Sequence, residues 1–252
     1  MTKSVQARIE EKVSRAIRAI PQSLRRGERA LKSGTVIVAL KYATGIVIGA
    51  DRNTIEGHKV FSHKTRKVAK VTPHSAIGGA GLVAMIRLIH DIYHECLFMM
   101  QTENGDMPIE AQAKLMRTIF QQLWTLSAGT PLEAVGIYAG FDPATKKKII
   151  LELDEAGADC YRETFAAIGS GGDEAASILR KYFRTHAPSK LNEESAIELA
   201  VEALIEAAED VYVSDPRVYP PMLAIIDKSG YRELGGEKIT KIARRIAPWQ
   251  AS

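Results

Sequence analysis

Two short apolar runs that are joined by only two residues constrain this chain most. TVIVALKY (35–42) and GIVIGADR (45–52) are rich in β-branched residues, and only Ala43 and Thr44 separate them. Runs of this kind with so short a connection predict a tight β-hairpin. The hairpin begins directly after Gly34, where a segment of different character ends.

After the hairpin, the chain continues in blocks rather than in strict alternation of strands and helices. Strands are predicted near 67–71, 75–82, 133–142, 147–154, 159–169 and 221–230, and helices near 80–101, 107–126, 173–186, 193–212 and 237–246. A parallel doubly wound sheet requires alternation, so this order disfavours it. The order predicts an α+β fold in which antiparallel sheets pack together and helices cover the outer faces.

Residues 1–34 differ from the remainder in charge and pattern. Apolar side chains recur at helical spacing from Val5 to Ile20, and Pro21 is expected to end that helix. The segment holds nine Lys or Arg residues against three acids, whereas residues 35–252 carry a net charge of −2. We therefore expect 1–34 to be a basic appendage outside the core and 35–252 to be one domain.

The charge distribution and the cysteines narrow the possible functions. The excess of basic residues lies within residues 1–34. Residues 35–252 therefore show no basic excess of the kind that indicates nucleic-acid binding. Cys96 and Cys160 cannot form a disulfide framework, which fits a reducing compartment. No apolar run approaches the length of about 20 residues that crosses a bilayer. We expect a cytoplasmic protein that binds neither DNA nor membranes.

Thr35 becomes a candidate nucleophile if it is the first residue of a processed chain. A threonine hydroxyl is a weak nucleophile, but a free α-amine on the same residue supplies a base with a pKa of about 7.7–8.0. A nearby fixed positive charge lowers the pKa of that amine, and backbone N–H groups stabilise the oxyanion. Asp51, Lys67 and the glycine-rich IGGAGL (77–82) are candidates for such a site.

The segment GTVIVALKYATGIVIGADR (34–52) resembles the start of the mature β subunit of the proteasome core particle, most closely in actinobacterial-type bacterial subunits. That family cuts a Gly–Thr junction autocatalytically. It has an Asp 16 residues, a Lys 32 residues and an oxyanion glycine 46 residues after the catalytic Thr. The corresponding residues here, together with the Ser of the family's Gly-Ser-Gly turn, are Asp51, Lys67, Gly81 and Ser170.

The resemblance implies an N-terminal-nucleophile hydrolase with a four-layer αββα fold. Residues 1–34 are then a propeptide that is removed by cleavage between Gly34 and Thr35. Thr35 acts as nucleophile and base, Lys67 lowers the pKa of the amine, and Asp51 orients Lys67. Gly81 N–H binds the oxyanion, and Ser170 completes the hydrogen-bond network around the amine.

The chain departs from the family at three places. Ser214 matches the Ser of the family's D-x-x-S-G-G motif, but Val211 replaces its Asp and the glycine pair is missing. Asp210 and Asp215 are candidate replacements for that Asp. Asn53 stands where the family has Arg, and Ile55 where it has a substrate-contacting Thr.

The same resemblance assigns a substrate pocket with Gly79 as its floor. By family spacing, the pocket residues are Thr54, Thr65, Ala69, Gly79 and Val83, and Ile55 is expected to contact the substrate backbone through its main chain. None of these side chains is long or charged, so an ionised substrate side chain would lack a partner. We expect large apolar or aromatic residues at the cleaved position, and poor cleavage after acidic ones.

The expected partners are identical β subunits in a ring, α-type ring subunits, an unfoldase ATPase and polypeptide substrates. No metal or organic cofactor is implied, and His90 with His94 on a predicted helix does not follow the HExxH order of a zinc protease. Two alternatives to a threonine endopeptidase stay open. They are a non-catalytic or unprocessed ring subunit and an N-terminal hydrolase that acts on small amides.

Overall fold

The computed structural model describes residues 5–19, 31–32, 34–56, 59–126, 133–210 and 212–248. The helices are α1 (Val5–Ala19), α2 (Val83–Asn104), α3 (Ile109–Leu126), α4 (Gly172–Phe183), α5 (Glu193–Glu206) and α6 (Gly236–Ile246). The strands are β1 (Leu31–Lys32), β2 (Val36–Tyr42), β3 (Gly45–Ala50), β4 (Thr54–Glu56), β5 (Lys59–Ser62), β6 (Val68–Thr72), β7 (Ser75–Gly81), β8 (Ala134–Phe141), β9 (Lys148–Leu153), β10 (Asp159–Tyr161), β11 (Phe165–Gly169), β12 (Met222–Asp227) and β13 (Gly230–Glu233).

Two five-stranded antiparallel sheets form the centre of the molecule. One has the order β11-β2-β3-β12-β13, and the other has the order β10-β9-β8-β7-β6. One apolar cluster fills the space between the sheets, and a second and third lie between each sheet and its helices. Helices α1–α3 cover one sheet and α4–α6 the other, so the predicted four-layer αββα architecture is confirmed.

The hairpin of β2 and β3 lies at the middle of its sheet. Its register pairs Ile37 with Ala50 and Tyr42 with Gly45, and Ala43-Thr44 forms the predicted turn. Every residue of β3 is buried, because one face packs on the opposite sheet and the other on α5. The hairpin therefore brings the residue before β2, Thr35, next to the residue after β3, Asp51.

The predicted strand over 159–169 is wrong in one respect. The structure divides this run into β10, which pairs with β9, and β11, which pairs with β2 in the other sheet. Three polar residues, Arg162, Glu163 and Thr164, form the crossing between the sheets. The pattern also missed the β4–β5 hairpin, whose exposed residues lack a strong apolar alternation.

The expectation that the leader lies outside the core is also wrong for the part that the structure describes. Helix α1 packs on α2 and α3, and Ile9 and Val13 are almost fully buried there. Arg8 binds Glu103 with its two terminal guanidinium nitrogens, Nη1 and Nη2, the Nη2–Oε2 distance being 2.7 Å, and Lys12 pairs with Glu95. Burial of each apolar side chain contributes about 1.5–3 kcal/mol. Pro21 and the basic stretch around it lie outside the described residues.

A search for membrane-spanning segments gave a negative result. Within the described ranges, no helix combines the length and the hydropathy that a bilayer crossing requires.

Candidate active site

Asp51 is the hub of a buried polar centre where β2 begins and β3 ends. Its Oδ1 accepts hydrogen bonds from Val36 N at 3.0 Å and from Lys67 Nζ at 2.6 Å. Its Oδ2 accepts from Asn53 N at 2.9 Å and from Ser214 N at 3.3 Å. A carboxylate with this many donors is held in one orientation and stays compensated although it is buried.

Lys67 reaches this centre from the opposite sheet. It lies directly before β6, and its carbonyl accepts a hydrogen bond from Gly79 N at 3.1 Å. Its Nζ donates to Asp51 and to the carbonyl oxygen of Gly34, the latter at 2.7 Å. Burial lowers the pKa of Lys67 from its ordinary value, and the adjacent Asp51 carboxylate opposes that shift. The ammonium group thus joins the two sheets at the junction between Gly34 and Thr35.

Thr35 is fully buried, and its side-chain hydroxyl makes no hydrogen bond to the described residues. Its backbone N donates to Ser170 Oγ at 3.2 Å, and its carbonyl accepts from Gly171 N at 3.3 Å. Across the described part of the chain, no hydrogen-bond partner is found for Thr35 Oγ1. A buried hydroxyl without a partner is costly, and such groups call for an explanation by function.

The residue before Thr35 has no room for a side chain. A Cβ built on Gly34 would lie 2.1 Å from Ile55 Cδ1, 2.5 Å from Tyr212 Cβ and 2.7 Å from Tyr212 O. The Ile55 side chain therefore packs at the Gly34 junction, and its expected main-chain contact with a substrate stays a prediction. The structure thereby explains in steric terms why glycine precedes Thr35.

Gly81 is the last residue of β7, and its position requires a glycine. Its φ is +122°, and a Cβ there would lie 1.8 Å from Glu133 O. A small cavity of about 240 Å³ has Gly81 and Ser170 among its lining residues. Two of the residues assigned by family spacing therefore face the same space, although they belong to different sheets.

The altered 209–221 segment still reaches the buried centre through Ser214. Besides its backbone bond to Asp51, Ser214 Oγ lies 3.5 Å from Asp51 Oδ2 and accepts from Arg52 N at 3.1 Å. Asp210 accepts a hydrogen bond from Tyr212 N, and Asp215 forms an ion pair with Arg217. The two candidate replacements for the family Asp thus stabilise their own loop, and Val211 lies outside the described residues.

Sequence reasoning missed a link between that segment and the β4–β5 hairpin, which we call the Asn53 clasp (Asn53, His63, Tyr212 and Tyr219). Asn53 Nδ2 donates to Tyr212 O at 3.1 Å, and Asn53 Oδ1 lies 2.6 Å from His63 Nδ1. The His63 ring stacks on Tyr219 with 3.9 Å between centroids. The signal available was Asn53 itself, at the position where the family has Arg.

A cavity of about 500 Å³ opens beside Lys67, and we call it the substrate cavity after the prediction that the resemblance made for this place. Thr54, Thr65, Gly79 and Val83 line it as predicted from the resemblance, whereas Ala69 lines an adjoining cavity of about 260 Å³. The expected absence of long and charged neighbours is wrong. The remaining lining residues are Phe61, Ser62, Lys64, Arg66, Lys67, Ile86 and Arg87.

The glycine at position 79 does not deepen the cavity. A Cβ built on Gly79 would lie 2.7 Å from Ile86 Cγ2, because the Ile86 side chain of α2 occupies that space. Family spacing along the strands could not indicate this contact, since it depends on how α2 is rotated against β7. The substrate cavity therefore has an apolar base formed by Ile86 and Val83 and a wall that carries cations.

His90 and His94 lie together on α2, with 3.1 Å between their Nε2 atoms. Burial is the main cause that lowers the pKa of each ring. A search of the described residues found no cluster of three or more His, Cys, Asp or Glu side chains that could hold a metal ion. The pair therefore consists of two packed, hydrogen-bonded rings.

Comparison with known proteins gives consistent matches over most of the chain. A family model described as "Proteasome subunit" matches residues 31–218. The proteasome subunit beta of Acidimicrobium ferrooxidans is 31% identical over 215 residues, covering 83% of this chain and 77% of that protein. The proteasome subunit beta of Gordonia bronchialis is 31% identical over 251 residues, covering 93% and 82%. That of Frankia alni is 28% identical over 218 residues, covering 84% and 78%.

Proposed function

The chain belongs to the proteasome subunit family, and from this premise we propose that it is a catalytic threonine endopeptidase subunit. The proposal assigns Thr35 as the nucleophile after cleavage of the Gly34–Thr35 bond. One observation carries it: the buried Thr35 hydroxyl has no hydrogen-bond partner among the described residues and lies beside a carbonyl that Lys67 holds.

The first reaction is the chain's own processing. Thr35 Oγ attacks the carbonyl carbon of Gly34, and the new C–O bond replaces the C–N bond to Thr35 as the hydroxyl proton passes to the nitrogen. Water then hydrolyses the ester, which frees the Gly34 carboxylate and restores the hydroxyl. Lys67 Nζ, at 2.7 Å from Gly34 O, is placed to stabilise the charge that develops on that oxygen.

The second reaction uses the amine that processing creates. In the uncleaved chain, the Thr35 nitrogen is an amide and cannot accept a proton. Once free, it becomes a general base on the same residue as the nucleophile, with Ser170 Oγ 3.2 Å away in the precursor. The positive charge of Lys67 favours the neutral amine, Asp51 holds Lys67, and Gly81 N–H is assigned to the substrate oxyanion.

Substitution of Thr35 tests the proposal directly. Thr35→Ala removes the hydroxyl for both reactions, so the purified chain should keep residues 1–34 by intact mass and should not cleave peptides. Thr35→Ser is the matched control, because it keeps the hydroxyl and the amine and should retain partial activity. Normal processing in the Thr35→Ala variant would contradict the assignment.

The named relatives also suggest the assembly, in which this subunit forms rings with identical copies and with α-type subunits, and an ATPase supplies unfolded polypeptides. We place the particle in the cytoplasm on the basis of the cysteine usage. A non-catalytic ring subunit was the alternative suggested by the altered 209–221 segment, yet Ser214 still binds Asp51 there. A full-length chain within an assembled particle would favour that alternative.

A further inference from the structure

The substrate cavity carries an unusual balance of charge. Among the described residues, its lining includes Lys64, Arg66, Lys67 and Arg87 but no carboxylate. A cavity that is lined by charges of one sign concentrates the field inside it and attracts ligands of the opposite sign. The question is which of these cations is free to meet a substrate.

Two of the four cations already have carboxylate partners. Lys67 is buried against Asp51, and Arg66 pairs with Glu233 on β13. Among the described side chains, no carboxylate lies within ion-pair distance of Lys64 or Arg87. Asp91, one turn after Arg87 on α2, lines the adjoining cavity together with Arg87, and its Oδ1 lies 3.9 Å from His90 Nδ1.

Arg87 is the better placed of the two uncompensated cations. It follows Ile86, whose side chain forms the apolar base, and it lines both the substrate cavity and the adjoining one. A glutamate side chain matches this arrangement, because its methylene groups can lie on Ile86 while its carboxylate meets a guanidinium. Arginine suits this role, since its planar fork binds a carboxylate with two hydrogen bonds.

We propose that Arg87 selects substrates with an acidic side chain at the cleaved position, glutamate in particular. The proposal rests on the proposed function and reverses the apolar preference that the strand residues alone suggested. Arg87 is exposed at the rim, so its effect depends on ionic strength and is moderate in size.

The test uses the assembled, processed particle and three fluorogenic peptides that differ only in Glu, Gln or Lys at the cleaved position. Glu and Gln have nearly the same shape, so their ratio of kcat/KM isolates the charge. At low ionic strength we expect the kcat/KM for Glu to exceed that for Gln by roughly 1.5-fold to fivefold, and that for Lys to be the lowest. The ratio should fall towards one in about 0.5 M salt.

Arg87→Gln should abolish the preference for Glu, which lowers the Glu-to-Gln ratio of kcat/KM to about one. Arg66→Gln is the matched control, and it should change the ratio less because Glu233 already compensates Arg66. A Glu-to-Gln ratio of one or less in the unmodified particle, or a ratio that Arg87→Gln does not change, would overturn the proposal. Failure to cleave any of the peptides would instead contradict the proposed function on which it rests.

Discussion

The buried centre around Asp51 and the wall of the substrate cavity adjoin each other, but they are built on opposite principles. The side chains of Asp51 and Lys67 are 1% and 2% exposed, and each has several hydrogen-bond partners. On the cavity wall, the side chain of Arg66 is 60% exposed, and Phe61 is 63% exposed.

This contrast indicates where the chain tolerates substitutions. Removing one partner of a buried ion pair leaves an uncompensated charge and costs about 3–5 kcal/mol. Surface substitutions usually change stability by less than about 0.5 kcal/mol. The groups of the buried centre are therefore fixed by the fold, whereas residues of the wall can change at little cost in stability.

The largest effect is expected from Lys67→Ala, which breaks the buried centre. It removes the charge that favours a neutral amine and leaves Asp51 without its ammonium partner. Peptide cleavage should fall on the order of 10²–10⁴-fold, the usual contribution of a positioned acid or base. Kinetic assays on material whose loss of residues 1–34 has been verified by intact mass check this result, because Lys67 also contacts Gly34 O and its removal should slow processing. Thermal unfolding should show a lower Tm.

Lys64→Ala provides the comparison from the cavity wall. It removes a cation of the same type from an exposed position, so the Tm should stay unchanged and cleavage of uncharged peptides should stay close to normal. Equal losses in the two variants would mean that the buried centre and the wall do not differ in the way the geometry indicates.

A second, smaller effect concerns the processing junction, where backbone packing rather than charge sets the limit. Gly34→Ala places a Cβ 2.7 Å from Tyr212 O and 2.1 Å from Ile55 Cδ1, so the scissile bond must shift. Processing should slow by roughly 10²-fold, the order expected for a displacement near 1 Å. Intact mass measured over time after synthesis gives the rate.

The double variant Gly34→Ala/Ile55→Ala sharpens this result. It removes the contact with Ile55 Cδ1 but leaves Tyr212 Cβ and the Tyr212 carbonyl in place, so we expect only partial recovery of the processing rate. Full recovery would show that Ile55 alone enforces glycine at this position.

Some features of the site could be predicted from the local sequence pattern, and others could not. The hairpin of β2 and β3 could be predicted because local pattern and a two-residue connection determine it, and it places Thr35 beside Asp51 without further information. The meeting of Lys67 with that pair needed the family resemblance, since Lys67 arrives from a different sheet. The family's spacing between the Thr and the Lys could be transferred to this chain because strands have a fixed rise per residue.

The parts that were missed depend on packing between elements far apart in the sequence. Ile86 fills the space over Gly79 only because of the rotation of α2, and α1 packs on α2 and α3 through contacts that helical periodicity cannot assign to a partner. The run over 159–169 looked like one strand because periodicity does not report a change of sheet. These three failures concern which surface an element meets, whereas the β4–β5 hairpin was missed as an element because its exposed residues give a weak pattern.

The smallest effect is expected from the Asn53 clasp, which lies between the buried centre and the surface. Asn53 N donates to Asp51, while its side chain joins Tyr212 O to the ring of His63. Because Tyr212 bounds the space around Gly34, loosening the clasp should affect processing more than later peptide cleavage. His63→Phe keeps a ring that can stack on Tyr219 and removes the hydrogen bond to Asn53.

Loss of one hydrogen bond of ordinary strength predicts processing slower by roughly threefold to tenfold. The rate of processing by intact mass and the kcat/KM of the mature enzyme are measured on the same preparations. Tyr219→Phe, which keeps both the ring and the His63–Asn53 bond, is the control and should process at the normal rate. A variant that lowers both rates equally, together with the Tm, would mean that the clasp only supports the fold and does not position the junction.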